Sequence, residues 1–186
     1  MSTPLTVCTA LDGYFAEALD GTLIRIGARL EPEVRTYVVL LLRQESIKQL
    51  PPTEPLAPRL AEALGSHLSY HQRREKFRVI GDASLVSCGL WWMWHERTRR
   101  ADALDFYLDA GRFAYRQLDV VPLFGELAGA FGLLVDVLAR MELTGSPGSM
   151  ADVLRLFRIW ERTHSDHAAR ILLERGINVF CPATPS

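Results

Sequence analysis

The chain is predicted to be all-α: a single-domain bundle of about seven helices around a buried central helical hairpin, residues about 71–94 and 102–118. Three observations predict this. Helical periodicity recurs along the sequence, and no alternating strand pattern of convincing length occurs. Between Phe77 and Leu118 two segments are apolar almost all the way round the helix. Only a short loop separates those two segments, which sets them antiparallel.

The elements follow in order. Leu11, Tyr14, Phe15, Ala18 and Leu19 recur at helical spacing, so a first helix is expected over Thr9 to Leu19, ended by Gly21. A second opens at Glu31-Pro32, proline being suited to a first helical turn, and runs through Val34, Tyr37, Val38, Leu41 and Leu42 toward Gln49. Pro51, Pro52, Pro55 and Pro58 make a stiff connection that cannot be one uninterrupted helix. A third helix is expected over Ala57 to Ser69, entering the buried segment directly or through a kink near Tyr70. Asp102 is placed to cap the second arm of the hairpin. Pro122 starts a helix expected to reach Leu143. The loop from Gly145 to Ser149 precedes a helix opened by Ser149 and Asp152 and running to about Thr163. A last helix, Asp166 to Arg175, stops at Gly176. From about residue 177 the chain is expected to be an extended or mobile tail.

At about 100° per residue, Phe77, Ile80, Leu85, Val86, Leu90 and their apolar neighbours to Trp94 spread around the whole first arm, whereas Arg78, Asp82 and Gly89 fall within roughly 40° of one another. In the second arm Leu104, Tyr107, Leu108, Gly111, Ala114, Tyr115 and Leu118 form one apolar face and Phe106, Ala110 and Phe113 another. Asp105, Asp109, Arg112 and Arg116 lie between them in a stripe roughly 60° wide. Only Ala83 to Trp94 is free of charge, too short to cross a bilayer. Folding the hairpin near Thr98 sets Asp82 against Ala114 to Arg116. Asp82 is therefore expected to pair with Arg112 or Arg116, with Arg78 and Asp109 completing a buried charge network, since an unpaired buried charge costs several kcal/mol. That polar cluster (Arg78, Asp82, Asp105, Tyr107, Asp109, Arg112, Tyr115, Arg116) is read as structural before it is read as a ligand site.

At 186 residues one domain, 1–186, is large enough to bury roughly 70% of its extended surface. A formal net charge of -1 gives no electrostatic reason to expect nucleic acid or anionic membrane as a partner. Arg97, Arg99 and Arg100 are too few to make a nucleic-acid footprint. Lysine occurs only at Lys48 and Lys76 among 21 basic residues, an arginine bias that genome base composition explains. Cys8, Cys88 and Cys181 are scattered, without a Cys-x-x-Cys pair, and are not a disulfide framework. The first residues lack a basic region followed by an apolar run, so no signal peptide is expected. A bacterial, cytoplasmic setting fits best.

Candidate chemistry is sparse. His67, His71 and Glu75 share a face if one helix continues through them, and two histidines one turn apart can hold a transition metal. Glu161-x-x-His164, followed by His167, is one half of the paired Glu-x-x-His motifs of di-iron bundles. No second half occurs, so His67, His71, Glu161 and His164 are weak metal candidates, and no cofactor is expected. Nucleophile elbows and Gly-rich phosphate loops are missing. Gly125, Gly129 and Gly132 flatten one face of the helix opening at Pro122. The run Trp91-Trp92-Met93-Trp94 points its tryptophans around the helix, so one core cannot hold all of them. With Phe106 and Phe113, Trp91, Trp92 and Trp94 are expected at a homodimer interface.

The pattern Arg78-x-x-Gly81-Asp82-x-x-Leu85 followed by Asp105-x-Tyr107-x-x-x-Gly111-x-x-x-Tyr115 resembles one found in bacterial all-helical proteins of similar length. The resemblance covers the central part of the chain, implies a bacterial origin and carries no activity. The expected function is a regulatory or scaffolding interaction module, homodimeric, with an unidentified protein partner and no catalytic motif. The alternative is a helical metal-dependent oxygenase, of di-iron or haem-oxygenase type, or a carrier of a small apolar ligand. An enclosed cavity at the polar cluster distinguishes the alternative from a module that fills this space with side chains.

Overall fold

The computed structural model describes residues 4–47, 55–65, 67–90, 104–143, 153, 157, 160 and 166–179. Among the described residues there are eight helices and no strand: α1 Pro4–Ile26, α2 Pro32–Ile47, α3 Leu56–Ala63, α4 Tyr70–Gly89, α5 Leu104–Arg116, α6 Pro122–Gly129, α7 Phe131–Leu143 and α8 Asp166–Glu174. The fold is all-α, as expected. No single helix among them is long and apolar enough to cross a membrane.

α1 buries Leu11, Phe15, Leu19 and Leu23, one residue per turn, against Val34, Val38, Leu41 and Leu42 of α2. Two ion pairs fix the register. Arg35 grips Asp20 side-on through Nε and Nη2 at 2.7 and 2.6 Å, and Arg43 reaches Asp12 at 3.1 Å. The residue numbers run in opposite senses, so α1 and α2 are antiparallel. α1 passes through Gly13 and Gly21 and stops at Gly27, not at Gly21 as expected. Gly27 has φ 67°, and the Ala28 amide closes back on the Leu23 carbonyl at 3.0 Å. The same device ends α8: Gly176 has φ 81° and Ile177 donates to Leu172 at 2.9 Å. Ile177 and Val179 are buried, so the tail expected from about 177 is packed at least through Val179.

α3 ends at Ala63, and α4 starts afresh at Ser69 with a reciprocal capping box between Ser69 and Gln72. The chain therefore neither continues nor merely kinks at Tyr70. The first turns of α4, rich in His71, Gln72, Arg73, Arg74, Glu75 and Lys76, stay at the surface. From Ile80 to Leu90 only Ala83 is less than buried. α4 packs antiparallel on α5: a Cβ on Gly81 would lie 2.5 Å from Cδ1 of Tyr115, and one on Gly111 would lie 2.6 Å from Cβ of Ser84. Glycine is what lets these helices touch. α4 crosses α7 equally closely where Gly89 meets Leu138.

α5 is not buried all round. Its Tyr115 face is covered, but Asp105, Phe106, Asp109, Phe113 and Arg116 are exposed. The second apolar face expected for this arm thus lies half in solvent. The helix expected from Pro122 to Leu143 is broken at Ala130 into α6 and α7, bent by 67°. Phe131 then turns inward against Tyr115 and Gly111. One large apolar core joins α1, α2, α4, α6, α7 and α8 with Val153 and Phe157, and a smaller one joins α3, α4 and α5 through Leu56, Phe77, Ile80 and Ala114.

Candidate functional site

The only charged side chain of the buried half of α4 is Asp82, whose side chain is 6% exposed. A carboxylate at that depth is tolerated when donors surround it. Tyr37 of α2 donates its hydroxyl to Oδ1 at 2.7 Å, and Tyr115 of α5 donates to the same oxygen at 2.8 Å. Arg78, one turn earlier on α4, donates to Oδ2 at 3.1 Å. The same guanidinium holds Glu75 through Nε at 3.0 Å and Nη2 at 2.6 Å. Three helices are thus joined at one carboxyl group.

Local sequence explains the geometry. Gly81 removes the side chain that would collide with the Tyr115 ring, so the phenol lies flat over α4 and its hydroxyl reaches the next residue. Phe124 of α6 closes the arrangement, edge-on to Tyr37 (5.7 Å, 78°) and tilted on Tyr115 (5.9 Å, 35°). Phe131 of α7 meets Tyr115 edge-on at 5.9 Å. Burial, reinforced by the Asp82 carboxylate, pushes the pKa of both phenols well above the ordinary tyrosine range, so both stay protonated donors. Hydrogen bonding to Glu75, followed by the charge of Asp82, holds Arg78 protonated, and the Arg78 guanidinium in turn draws Glu75 below the usual carboxylate range.

The expected pairing of Asp82 with Arg112 or Arg116 is corrected. The antiparallel hairpin does bring residue 82 to the level of 115, but the side chain that points at α4 is Tyr115. Arg116 projects into solvent on the opposite side of α5, and Arg112 leans over α7, with Nη2 placed 3.9 Å from where a Cβ on Gly132 would be. Among the described residues, Asp109 and Asp105 make no side-chain contact with this cluster, and Tyr107 packs in the smaller core. Of the eight cluster residues, Arg78, Asp82 and Tyr115 are brought together. Tyr37, Phe124 and Phe131 join them unforeseen.

Two surface clefts lie nearby. One of about 300 Å³ opens between α2 and α4, lined by Tyr37, Leu40, Leu41, Arg43, Arg78 and Asp82. The other, about 360 Å³, lies between α4, α5 and α7, lined by the apolar Leu104, Leu108, Val135 and Ala139 together with Cys88, Arg112 and Asp136. Burial pushes the Cys88 thiol up to about 12, so it is a small apolar wall group and not a nucleophile.

The metal candidates do not assemble as drawn from sequence. His67 precedes the Ser69 cap and is therefore off the helix that carries His71 and Glu75, and both histidines are exposed. Among the described residues no group of His, Cys, Asp or Glu could hold a metal ion. Glu161, His164, Trp91, Trp92 and Trp94 lie outside the described residues, as do Arg97, Arg99 and Arg100. Phe106 and Phe113 are 40% and 38% exposed. No family model, curated protein or solved structure matches the chain.

Proposed function

We propose that the protein is a homodimeric helical interaction module, regulatory or scaffolding in role, working in a bacterial cytoplasm. The observation that carries this reading is the spending of Asp82 on donors of its own chain: Tyr37, Tyr115 and Arg78 occupy the carboxylate that a catalytic or ligand-binding centre would need. A carboxylate so occupied locks three helices and leaves recognition to the outer surface. There Phe106 and Phe113 offer apolar area on a helix whose other face is buried, the composition expected of a contact patch. The cytoplasmic setting rests on cysteine usage, with Cys88 a buried free thiol.

A second reading has one observation in its favour. The cleft of about 360 Å³ between α4, α5 and α7 is large enough for a small apolar ligand. Native mass spectrometry of the purified chain separates the two. The interaction module predicts a dimer mass without adduct at micromolar concentration. A monomer carrying a bound small molecule would replace it with the carrier.

A further inference from the structure

The exposed arc of α5 carries charges in a definite order. Asp105 and Asp109 occupy its N-terminal half, Arg112 and Arg116 its C-terminal half, and none of the four makes a side-chain hydrogen bond or ion pair among the described residues. Phe106, Asp109, Phe113 and Arg116 are spaced three, four and three residues apart, the spacing that forms a continuous seam along a helix. A helix with acids at one end and bases at the other is complementary to itself when reversed. Turned antiparallel, it sets its acids on the other copy's bases. Laid parallel, it would set Asp109 on Asp109 and Arg116 on Arg116.

We infer that α5 is the dimer contact, packed antiparallel on α5 of a second copy about a two-fold axis near the level of Gly111. The inference rests on the homodimer reading above and adds the surface and its orientation. In this register Asp109 lies beside Phe113 of the other copy and about one helical turn from its Arg116, within reach of both side chains. Phe106 faces Arg116 of the other copy, whose guanidinium can cover the ring. Arg112, leaning toward α7, stands at the margin opposite the other copy's Asp109. The contact is isologous, so every pair occurs twice and assembly closes at two copies. Phe113 is braced from behind by Phe77 of α4, with ring centroids 6.0 Å apart, so the apolar part of the seam stands on the core.

Sedimentation equilibrium of the full chain tests this with Asp109→Arg and Arg116→Asp. Each reversal places like charges together at two symmetric positions and should raise the dimer dissociation constant about tenfold or more. Mixed in equal amounts the two variants are complementary and should dimerise at least as tightly as the unaltered chain, and the double variant D109R/R116D should recover. Raising salt from about 0.05 M to about 0.5 M should weaken the unaltered dimer several-fold and, by screening the repulsion, tighten each single variant. Asp109→Asn and Arg116→Gln give the same direction on a smaller scale should reversal disturb the helix, which circular dichroism reports. A dimer insensitive to all of these places the contact elsewhere and leaves the homodimer reading standing. An unaltered chain that stays monomeric overturns both.

Discussion

Replacing Asp82 by alanine exposes the logic of the buried clasp. The Tyr115 hydroxyl is fully buried and would be left without its acceptor, which costs about 2 kcal/mol. Tyr37 faces a cleft open to solvent, so water can take the vacated place at a cost of about 0.5 kcal/mol. Arg78 keeps Glu75 and is one-third exposed, so its loss is less than about 1 kcal/mol. Removing the carboxylate also removes its own desolvation, which holds the total toward the lower end of the range for breaking a buried charged pair, about 3 kcal/mol. Tyr115→Phe alone should cost about 1.5 kcal/mol, because Asp82 retains other donors. In the double variant no phenol is orphaned, so its cost should fall short of the sum by about 1 to 2 kcal/mol. Urea unfolding followed by circular dichroism at pH 7 and fixed protein concentration measures all three. An Asp82→Ala variant within about 0.5 kcal/mol of the parent, or additive costs, would refute the reasoning.

Other expectations are independent of that cycle. Gly81→Ala forces a methyl into the Tyr115 ring and should destabilise by about 1 to 3 kcal/mol despite alanine's better helix propensity, whereas Gly13→Ala, with nothing among the described residues within 4 Å of its new Cβ, should stabilise by about 0.5 to 1 kcal/mol. The same urea melts read both. Among the described residues Ser84 and Ser87 bury hydroxyl oxygens without a hydrogen-bond partner, so Ser84→Ala should be neutral or stabilising by up to about 1 kcal/mol. In alkali, the fold holds protons on Cys88 (9.0 raised to about 12) and on Tyr37 and Tyr115 (raised from 10.0) that the unfolded chain releases. Stability is therefore fully present below about pH 9 and declines above it, by about 1.4 kcal/mol per pH unit for each group inside its window. Cys88→Ala should flatten the part of the decline that starts near pH 9, as unfolding midpoints at pH 8 to about 10.5 would report.

The sequence carried the helices and the hairpin further than it carried the partners of Asp82. Apolar periodicity located α2, the buried half of α4 and the inward face of α5, because burial is a one-sided property that a helical wheel resolves. Charge pairing failed for a geometric reason. The wheel put Arg112, Tyr115 and Arg116 near Asp82 in register, but the choice among them depends on which part of α5 leans on α4. Gly81 was the available signal. A glycine inside an apolar helix marks a close approach, and the bulky residue at that level of the partner helix is Tyr115. Tyr37 was legible only as an inward residue of α2, since nothing local ties it to a carboxylate 45 positions later. The endpoints of α1 and the break at Ala130 were missed because glycine inside a helix, and a bend without proline, are decided by the packing of neighbouring elements.

One carboxylate takes hydrogen bonds from α2, 45 residues before it, and from α5, 33 residues after it. Where α4 meets α5, Asp82 has two of its donors, Arg78 and Tyr115. Docking of α2 supplies the third donor, so an arrangement with α2 misplaced leaves Asp82 without its Tyr37 bond. The acid thereby favours the native placement of the N-terminal helix pair over arrangements that set α2 elsewhere.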